Sequence, residues 1–355
     1  MKTPLVTVVI DTYNYGRYVE EAINSVLTQR FSADQMEILV VDDGSTDDTP
    51  ERLRKFEGRI QHLRKPNGGQ ASAFNLGFDC AQGEIIALLD ADDVWLPEKL
   101  ERVCETFADN PDAGMVYHRA ALWRENEETF ADNYFVPISG RVSESREAML
   151  RYPMISTSCL AFRRKALQEL LPLPGILHSQ ADAFLTALII SVAPVVALLE
   201  FLGKYRLHGA NLFQMDMMNA SSRQIEHRME MRAALFAEIE RWLERRGYDL
   251  ESPNLRDYLK QWTKAQEVDG FALCAPGRWE YFLHLFEYPR IYSDIMTRRH
   301  RVYSFMRAFA ALFLGYSYLY LLDDTRSWYK RQLGKFTRET RSHREVKPTT
   351  EEANG

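Results

Sequence analysis

The fold class is most clearly indicated by residues 84–95, Glu-Ile-Ile-Ala-Leu-Leu-Asp-Ala-Asp-Asp-Val-Trp. Its first half is a short, continuous apolar run, which predicts a buried strand over Glu84–Asp90. Three aspartates come within four residues at the point where this strand would leave the sheet. Buried strands of this kind are typical of parallel sheets covered by helices, so strands and helices are expected to alternate on either side of it.

That alternation runs through the chain to about residue 205. Short apolar runs predict strands, and apolar residues at helical spacing predict the helices between them. The strands are expected at Leu5–Asp11, Glu37–Asp42, Ile60–Arg64, Glu84–Asp90, Met115–Leu122, Ser158–Phe162 and Val195–Tyr205. The helices are expected at Tyr18–Gln29, Thr49–Phe56, Ala71–Ala81, Pro97–Ala108 and Asp182–Val192. The predicted fold class is α/β, a mostly parallel sheet flanked by helices.

Length and periodicity predict one large domain with a helical appendage. The chain has 355 residues, and strand patterns disappear from about Met215, where apolar residues recur at helical spacing. We expect an α/β domain over residues 1–214, a helical region over 215–341 and a disordered tail over 342–355.

Composition excludes several classes of protein. Hydrophobic residues make up 46% and charged residues 26% of the chain, which argues against wholesale disorder. The net charge of −6 argues against a dedicated nucleic-acid binder. Four cysteines without a CxxC spacing are expected to be reduced thiols of a cytoplasmic protein. We expect no secretory signal, because the apolar run after Thr3 is too short for one.

Aspartates cluster at the carboxyl ends of three predicted strands. Asp11 ends the first strand, Asp42 and Asp43 lie at the end of the second, and Asp90 and Asp92 follow the apolar run. In an open parallel sheet these ends share one edge, where ligands bind. Carboxylates gathered there repel one another unless a divalent cation lies between them, and Mg²⁺ or Mn²⁺ prefers oxygen ligands. Because such a cation completes its shell with phosphate oxygens, the cluster indicates a nucleotide diphosphate ligand.

These features also have purely structural interpretations. Aspartates often form turns or cap helices, which suits Asp47 and Asp48 better than the acids after the apolar strand. The turn Asn67-Gly68-Gly69 opens a predicted helix, where backbone amides would face a phosphate. A plain turn explains it equally well.

Five segments, taken in order, resemble glycosyltransferase family 2, which has the Rossmann-like GT-A fold. They are TVVIDTYNYGRYVEEAINSVLTQ (7–29), ILVVDDGSTDDT (38–49), NGGQASAFNLGF (67–78), ALLDADDVWLPEKL (87–100) and YRLHGANL (205–212). The resemblance covers about residues 4–212. It implies transfer of a sugar from a nucleotide sugar, with inversion at the anomeric carbon and a divalent metal ion.

The resemblance also implies which residues bind the donor nucleotide. Thr12 and Tyr13 match the loop that contacts the nucleoside, and Asp43 matches the acid that pairs with the base. The residues implied on the nucleotide side are Thr12, Tyr13, Asp42, Asp43, Asn67, Gly69, Asp90 and Arg206.

The metal side of the implied site lies at two motifs. Asp90 and Asp92 match the DxD motif, with Asp92 binding the metal directly and Asp90 facing the ribose or the metal shell. In the YRxH element, His208 would complete the metal shell or touch the diphosphate, and Arg206 would pair with phosphate.

The acceptor side needs a general base, which the resemblance places at Asp182. Inversion requires one group to deprotonate the incoming hydroxyl as it attacks, and a carboxylate suits that role. The alternatives are that Asp182 caps its helix, or that His178 is the base.

Two departures from the family pattern and two rival functions accompany this interpretation. Phe74 stands where an arginine is common, and Ala181 replaces the acid that usually precedes the base. A catalytically silent binding protein on the same scaffold is one rival. A sugar nucleotidyltransferase is the other, although the segment after the first strand lacks its glycine- and arginine-rich loop.

The family favours UDP-linked donors, so a UDP-sugar is the expected substrate. The acceptor is expected to be a sugar or a lipid-linked molecule, as in surface polysaccharide or glycolipid synthesis. Its pocket is expected to involve residues 126–154 and the helical region.

Two longer apolar stretches bear on membranes. Ala183–Leu202 contains Pro194 and is predicted to be a buried helix followed by a buried strand. Ala308–Leu322 is shorter than a membrane span needs and lies in a basic region, with 12 Lys and Arg against 4 Asp and Glu over Arg298–Lys347. Residues 298–341 therefore predict peripheral contact with the inner face of a membrane, or a core or oligomer helix with solvated flanks.

Overall fold

The computed structural model describes residues 3–124, 127–129, 140–142, 155–208, 211, 222–252, 255–256, 259, 282–283, 286, 290 and 298–314. The described chain falls into two compact units, one over residues 1–266 with 294–297 and the other over 267–293 with 298–355. The predicted boundary between residues 214 and 215 and the predicted tail both lie outside the described residues.

The first unit contains the sheet and the helices that cover it. Its strands are β1 (Val6–Thr12), β2 (Met36–Asp42), β3 (Gln61–Arg64), β4 (Ile85–Asp90), β5 (Val94–Trp95), β6 (Met115–Arg124), β7 (Glu127–Thr129), β8 (Gly140–Val142), β9 (Leu160–Arg163) and β10 (Val195–Arg206). Its helices are α1 (Gly16–Leu27), α2 (Thr49–Arg54), α3 (Gln70–Cys80), α4 (Lys99–Asp109), α5 (Arg164–Gln168), α6 (Ala181–Ile189) and α7 (Ser222–Arg245). Short 3₁₀ turns span Ala33–Gln35 and Thr157–Cys159.

The ten strands form one sheet, and the predicted mostly parallel α/β architecture is confirmed. The main order is β3-β2-β1-β4-β9-β6-β10-β5, with β7 on β6 and β8 on β10. Strands β3, β2, β1 and β4 run parallel, as do β6 and β10. Strand β9 is antiparallel to both β4 and β6 and joins the two parallel parts.

Helices cover both faces of the sheet because each presents one apolar stripe. In α1 the buried residues Val19, Ala22, Ile23 and Val26 recur at helical spacing and pack in one cluster with β1. On the other face Gly77 of α3 approaches β1 so closely that a Cβ there would lie 2.7 Å from Val9 Cγ1. This close packing holds α3, and the turn that precedes it, against the carboxyl ends of β1 and β2.

The apolar stretch Ala183–Leu202 forms a helix and a strand, as predicted. Helix α6 carries most of its apolar side chains in the core, and Pro194 separates it from β10. None of the described helices is both long enough and apolar enough to cross a membrane.

The second unit is described chiefly by helix α8 (Arg298–Leu314). Phe282, Phe286, Phe305 and Phe309 form an aromatic cluster there, with ring centroids 5.0–5.9 Å apart in the contacting pairs. Residues 315–322, which complete the second predicted apolar stretch, lie outside the described residues, as do 130–139 and 143–154 of the predicted acceptor region.

Candidate active site

The register of the parallel strands brings the first carboxylates together. Asp11 of β1 lies directly beside Asp90 of β4, and Thr12 lies beside Asp42 of β2. All four residues end their strands at the same edge of the sheet. The convergence expected from the sequence is therefore a consequence of register rather than of a long-range loop.

The acidic loop after β4 supplies a group of oxygen ligands. One carboxylate oxygen each from Asp90, Asp92 and Asp93 lies within 4.8 Å of the other two. Hard carboxylate oxygens at this spacing suit Mg²⁺ or Mn²⁺, so the donor set fits the divalent cation expected from the sequence.

The electrostatics of the loop point to the same cation. Burial, together with the charges of Asp92 and Asp182, raises the pKa of Asp11 to about 7. Burial and the charges of Asp11 and Asp92 raise the pKa of Asp90 well above its usual range. Asp11 Oδ1 is buried and has no hydrogen-bond partner among the residues that the structure describes. A cation would relieve this repulsion, and its affinity would rise with pH as the carboxyl groups lose their protons.

Asp92 is held by the end of β10 and the residues that follow it. His208 Nε2 lies 2.9 Å from Asp92 Oδ2, and Asn211 Nδ2 lies 3.5 Å from the same oxygen. Arg206 Nε donates to the Asp92 carbonyl oxygen at 2.7 Å. The YRxH element and the DxD loop are thus directly connected through Asp92. The clustered ligand atoms belong to Asp90, Asp92 and Asp93, and the metal role of His208 stays a prediction.

Arg206 makes its other contacts with protein groups. Its Nη2 donates to Glu21 Oε2 at 2.6 Å, and its guanidinium lies over Trp123 at 4.0 Å and Tyr18 at 4.9 Å from the ring centroids. These contacts fix Arg206 against the Asp92 loop. Its predicted contact with phosphate stays a prediction.

Asp42 and Asp43 have different surroundings. Asp43 Oδ1 accepts a hydrogen bond from Lys65 Nζ at 2.6 Å, and Oδ2 accepts one from the Gly69 amide at 2.7 Å. Asp42 Oδ1 accepts from the Ser45 amide at 2.7 Å. Burial opposes ionisation of Asp42, but bonds from His62 and Ser45 hold its pKa below the usual value. Both aspartates therefore also organise the loops after β2 and β3.

The remaining predicted nucleotide residues line the same edge. Tyr13 is 45% exposed, whereas Thr12 is buried, and its Oγ1 has no hydrogen-bond partner within the described part of the chain. Asn67 is exposed. Gly69 has φ +81°, and a Cβ on it would lie 2.4 Å from His178 Cα, so the turn requires glycine.

Asp182, the predicted base, lies on a helix that packs beside the acidic cluster. It lies in the first turn of α6, where Oδ1 accepts from the Ala183 amide at 2.8 Å and Oδ2 accepts from Thr157 Oγ1 at 3.0 Å. Burial raises its pKa, and its charge in turn raises the pKa of Asp11 and of Asp90. The structure thus brings the predicted base close to the predicted metal ligands. His178, the alternative base, is exposed, with Nδ1 3.1 Å from the Gly68 carbonyl oxygen.

Comparison with known proteins identifies the family. The sequence profile of glycosyl transferase family 2 matches residues 7–171. An uncharacterized glycosyltransferase from Nostoc sp. is 34% identical over 240 residues, which cover 65% of this chain and 72% of that protein. The chain belongs to glycosyltransferase family 2.

Other relatives match shorter segments. An uncharacterized glycosyltransferase from Rickettsia typhi is 33% identical over 155 residues, 43% of this chain and 47% of that protein. The hyaluronan synthase of Pasteurella multocida is 35% identical over 119 residues, 33% of this chain and 12% of the synthase. The chain therefore spans less than half the length of these two relatives.

Solved structures show the GT-A fold expected of family 2. Residues 1–349 of S. aureus TarS superpose with a TM-score of 0.58 at 18% identity, covering 88% of this chain and 92% of that one. At this identity the likeness concerns the fold alone.

The two departures from the family 2 pattern have structural explanations. Phe74 is fully buried and stacks on Phe78 with centroids 5.6 Å apart, so α3 carries a core side chain in place of the common arginine. Ala181 is also fully buried, and its amide donates to Gln70 Oε1 at 3.0 Å. At these two positions the site therefore has neither the arginine nor the acid of the family pattern.

Several residues that contact the predicted site residues were not predicted from the sequence. Tyr18 stacks on His208 with centroids 4.9 Å apart and an interplanar angle of 27°. Lys65 binds Asp43, Thr157 binds Asp182, and Ser158 binds Asp93 at 2.6 Å. Tyr18 lies within the family-like segment 7–29 and could have been identified from that motif. The other three meet their partners through tertiary packing, which carries no local signal.

Proposed function

We propose that this chain is an inverting glycosyltransferase that moves a sugar from a nucleotide-diphosphate sugar to a hydroxyl acceptor, with a divalent cation. The observation that carries the proposal is that hydrogen bonds through the adjacent residues Thr157 and Ser158 connect Asp182 to the acidic loop of Asp90, Asp92 and Asp93. A charge-neutralising site for the leaving diphosphate and a base for the acceptor are the two chemical needs of this transfer.

On the donor side, Asp92 and His208 would hold Mn²⁺ or Mg²⁺, with Asp90 completing the shell or facing the ribose. When bound, the cation neutralises negative charge on the nucleotide diphosphate as it leaves. Thr12, Tyr13 and Asp43 would bind the nucleoside beside it. Two observations support this placement: the buried Thr12 hydroxyl has no partner in the described ranges, and the Tyr13 ring is exposed.

On the acceptor side, Asp182 would remove the proton of the attacking hydroxyl. The acceptor oxygen bonds to the anomeric carbon as the bond from that carbon to the phosphate oxygen breaks, and the proton passes to an Asp182 carboxylate oxygen. A single displacement of this kind inverts the anomeric carbon. The pKa of Asp182, raised by burial, makes it a stronger base than an exposed aspartate.

The donor we propose is a UDP-sugar, and the product a surface polysaccharide or glycolipid. S. aureus TarS has been solved with UDP and with UDP-GlcNAc, whereas a Pyrobaculum calidifontis mannosyltransferase has been solved with GDP-Man and Mn²⁺. Two of the relatives are a hyaluronan synthase and a chondroitin synthase. These names support a polysaccharide acceptor, although each match covers only 12% of the synthase.

A thermal-shift screen tests the proposed donor. UDP, GDP and their sugar conjugates are each added with Mn²⁺ and with EDTA. We expect one UDP-sugar to raise the Tm in Mn²⁺ and not in EDTA, because a ligand at 100 times its Kd adds about 2.7 kcal/mol of stability. Release of nucleotide diphosphate from that donor would then separate an enzyme from a silent binding protein. A screen in which no nucleotide raises the Tm contradicts the proposal.

For the second unit we propose peripheral contact with an anionic membrane at its cytoplasmic face. On α8 the apolar residues Val302, Met306 and Phe309 are 53%, 64% and 49% exposed and lie four and three residues apart, along one side of the helix. Arg298 and Arg299 at the start of the same helix are exposed. An apolar stripe beside cations suits the interface of an anionic bilayer.

Vesicle flotation tests this contact. The full chain should float with phosphatidylserine vesicles at low salt, and the Val302→Glu/Met306→Glu variant should not. Leu199→Glu/Ile176→Glu, which adds the same charge at two exposed apolar positions of the first unit, should float like the parent. If the parent chain stays at the bottom, the membrane proposal is wrong. A dimer in light scattering that the helix variant loses would then assign the stripe to a second copy.

A further inference from the structure

One buried turn, Thr157–Cys159, connects the two halves of the proposed site. It opens β9, the antiparallel strand between β4 and β6. Thr157 is 2% and Ser158 3% exposed, so their hydroxyl groups must find partners within the protein. Those partners are the acidic residues of the site.

The Thr157 hydroxyl acts on the proposed base. Its Oγ1 donates to Asp182 Oδ2 at 3.0 Å, while the other carboxylate oxygen accepts the Ala183 amide. The two bonds fix the rotation of the carboxyl group. Thr157 is the only side chain among the described residues with a direct hydrogen bond to Asp182.

The Ser158 hydroxyl acts on the proposed metal loop. Its Oγ donates to Asp93 Oδ2 at 2.6 Å and accepts from the Asp90 amide at 3.1 Å. Asp93 Oδ1 in turn accepts the Arg206 amide at 2.8 Å. Ser158 therefore connects both ends of the acidic loop to the turn that carries Thr157.

Two buried side chains donate hydrogen bonds to the backbone of the turn. The Ser158 carbonyl oxygen accepts Trp95 Nε1 at 2.9 Å and Lys99 Nζ at 3.2 Å. Lys99 is fully buried, lies over the Trp95 ring at 3.2 Å and forms no ion pair with the described carboxylates. Burial lowers its pKa well below the usual value. Burying a lysine without a carboxylate partner costs free energy. Its hydrogen bond, together with that of Trp95, fixes the position of the Ser158 carbonyl oxygen.

We propose that Thr157 and Ser158 are positioning residues, adjacent in the chain, that hold the base Asp182 and the metal loop of Asp90–Asp93 in one fixed arrangement. This inference rests on the proposed function. It predicts that the two hydroxyl groups affect different measured quantities: Thr157 affects the chemical step through Asp182, and Ser158 affects the binding of the cation.

The test begins with Thr157→Val, which removes the hydroxyl and keeps the shape. Nucleotide release is measured with the donor that the screen selects, in Mn²⁺, with water as acceptor. We expect kcat to fall roughly 10- to 100-fold, the cost of losing a hydrogen bond to a charged group, with the donor KM within about twofold. Thr157→Ser, which keeps the hydroxyl, should restore kcat. In an Asp182→Asn background, Thr157→Val should cost nothing more.

Thr186→Val is the matched control. Thr186 is fully buried on the same helix, but its hydroxyl donates to the backbone carbonyl oxygens of Asp182 and Ala183. It should lower the Tm and leave kcat unchanged. Ser158→Ala should weaken Mn²⁺ binding roughly tenfold in calorimetry without donor, a readout independent of turnover.

The outcomes separate this inference from the function on which it rests. If Asp182→Asn keeps the parent rate while donor-dependent nucleotide release persists, Asp182 is not the base, and the positioning role of Thr157 falls with that assignment. If Asp182→Asn is inactive but Thr157→Val matches Thr186→Val, only the positioning role is wrong. A further loss on adding Thr157→Val to Asp182→Asn would also overturn it, because the hydroxyl would then act elsewhere.

Discussion

Asp92→Asn is expected to abolish metal-dependent turnover while the protein keeps its fold. The change removes one charged ligand of the proposed cation, which also binds the diphosphate, so affinity for both falls together. We expect nucleotide release at fixed Mn²⁺ to fall roughly 10³-fold, the scale on which charge-stabilising groups act. The measurement is a Mn²⁺ titration of nucleotide release.

We expect Asp92→Asn to keep its fold because the negative charge of Asp92 destabilises the folded protein by repelling neighbouring carboxylates. Its charge contributes to the raised pKa of Asp11, Asp90 and Asp93. Removing that charge relieves repulsion, so the Tm of Asp92→Asn in EDTA should equal or exceed that of the parent. Asp79→Asn, at an exposed position of α3, is the control for the same chemical change and should keep full activity. An Asp92→Asn enzyme with the parent's Mn²⁺ midpoint and rate would remove Asp92 from the metal site.

Asp182→Asn is expected to have the second largest effect. A base acts only in the transition state, so kcat should fall by roughly 10²- to 10⁴-fold while the affinity for UDP with Mn²⁺ stays the same. The asparagine oxygen can accept from the Ala183 amide while its amide nitrogen donates to Thr157 Oγ1, and burial already disfavours the charged carboxylate. We therefore expect no large loss of stability.

Kinetics and calorimetry of the same Asp182→Asn preparation decide between the roles of this residue. Loss of kcat with unchanged UDP affinity supports the base. If UDP affinity collapses instead, Asp182 is a donor contact or a structural cap, and the His178→Ala variant becomes the next candidate to assay.

The parts of the site that the sequence predicted are those that depend on strand ends. Asp11, Asp42 and Asp90 lie directly after or within apolar runs, and parallel register alone brings them to one edge. The four residues of β9 do not indicate that the strand runs antiparallel, because strand direction depends on where the chain returns to the sheet. The partners of that strand's first turn, Asp93 and Asp182, were therefore not predictable as partners.

Arg206 shows a second limit of motif reasoning. The motif places it correctly at the end of β10 and beside Asp92. It does not reveal that Tyr18 and Glu21 of α1 and Trp123 of β6 already surround the guanidinium, because both elements are far from Arg206 in the chain. The sequence therefore predicted where Arg206 lies, whereas the groups that contact its guanidinium depend on tertiary packing.

Anomalous diffraction from crystals soaked with Mn²⁺ and UDP would show whether the acidic loop binds the metal and the nucleotide together. We expect one manganese peak in direct coordination with Asp92, at about 2.1 Å as for other small hard cations, with the diphosphate on its open side. We also expect that Asp182 does not contact the UDP. A manganese peak away from the Asp90–Asp93 loop, or UDP bound in the site with no manganese, would overturn the proposed metal-dependent site.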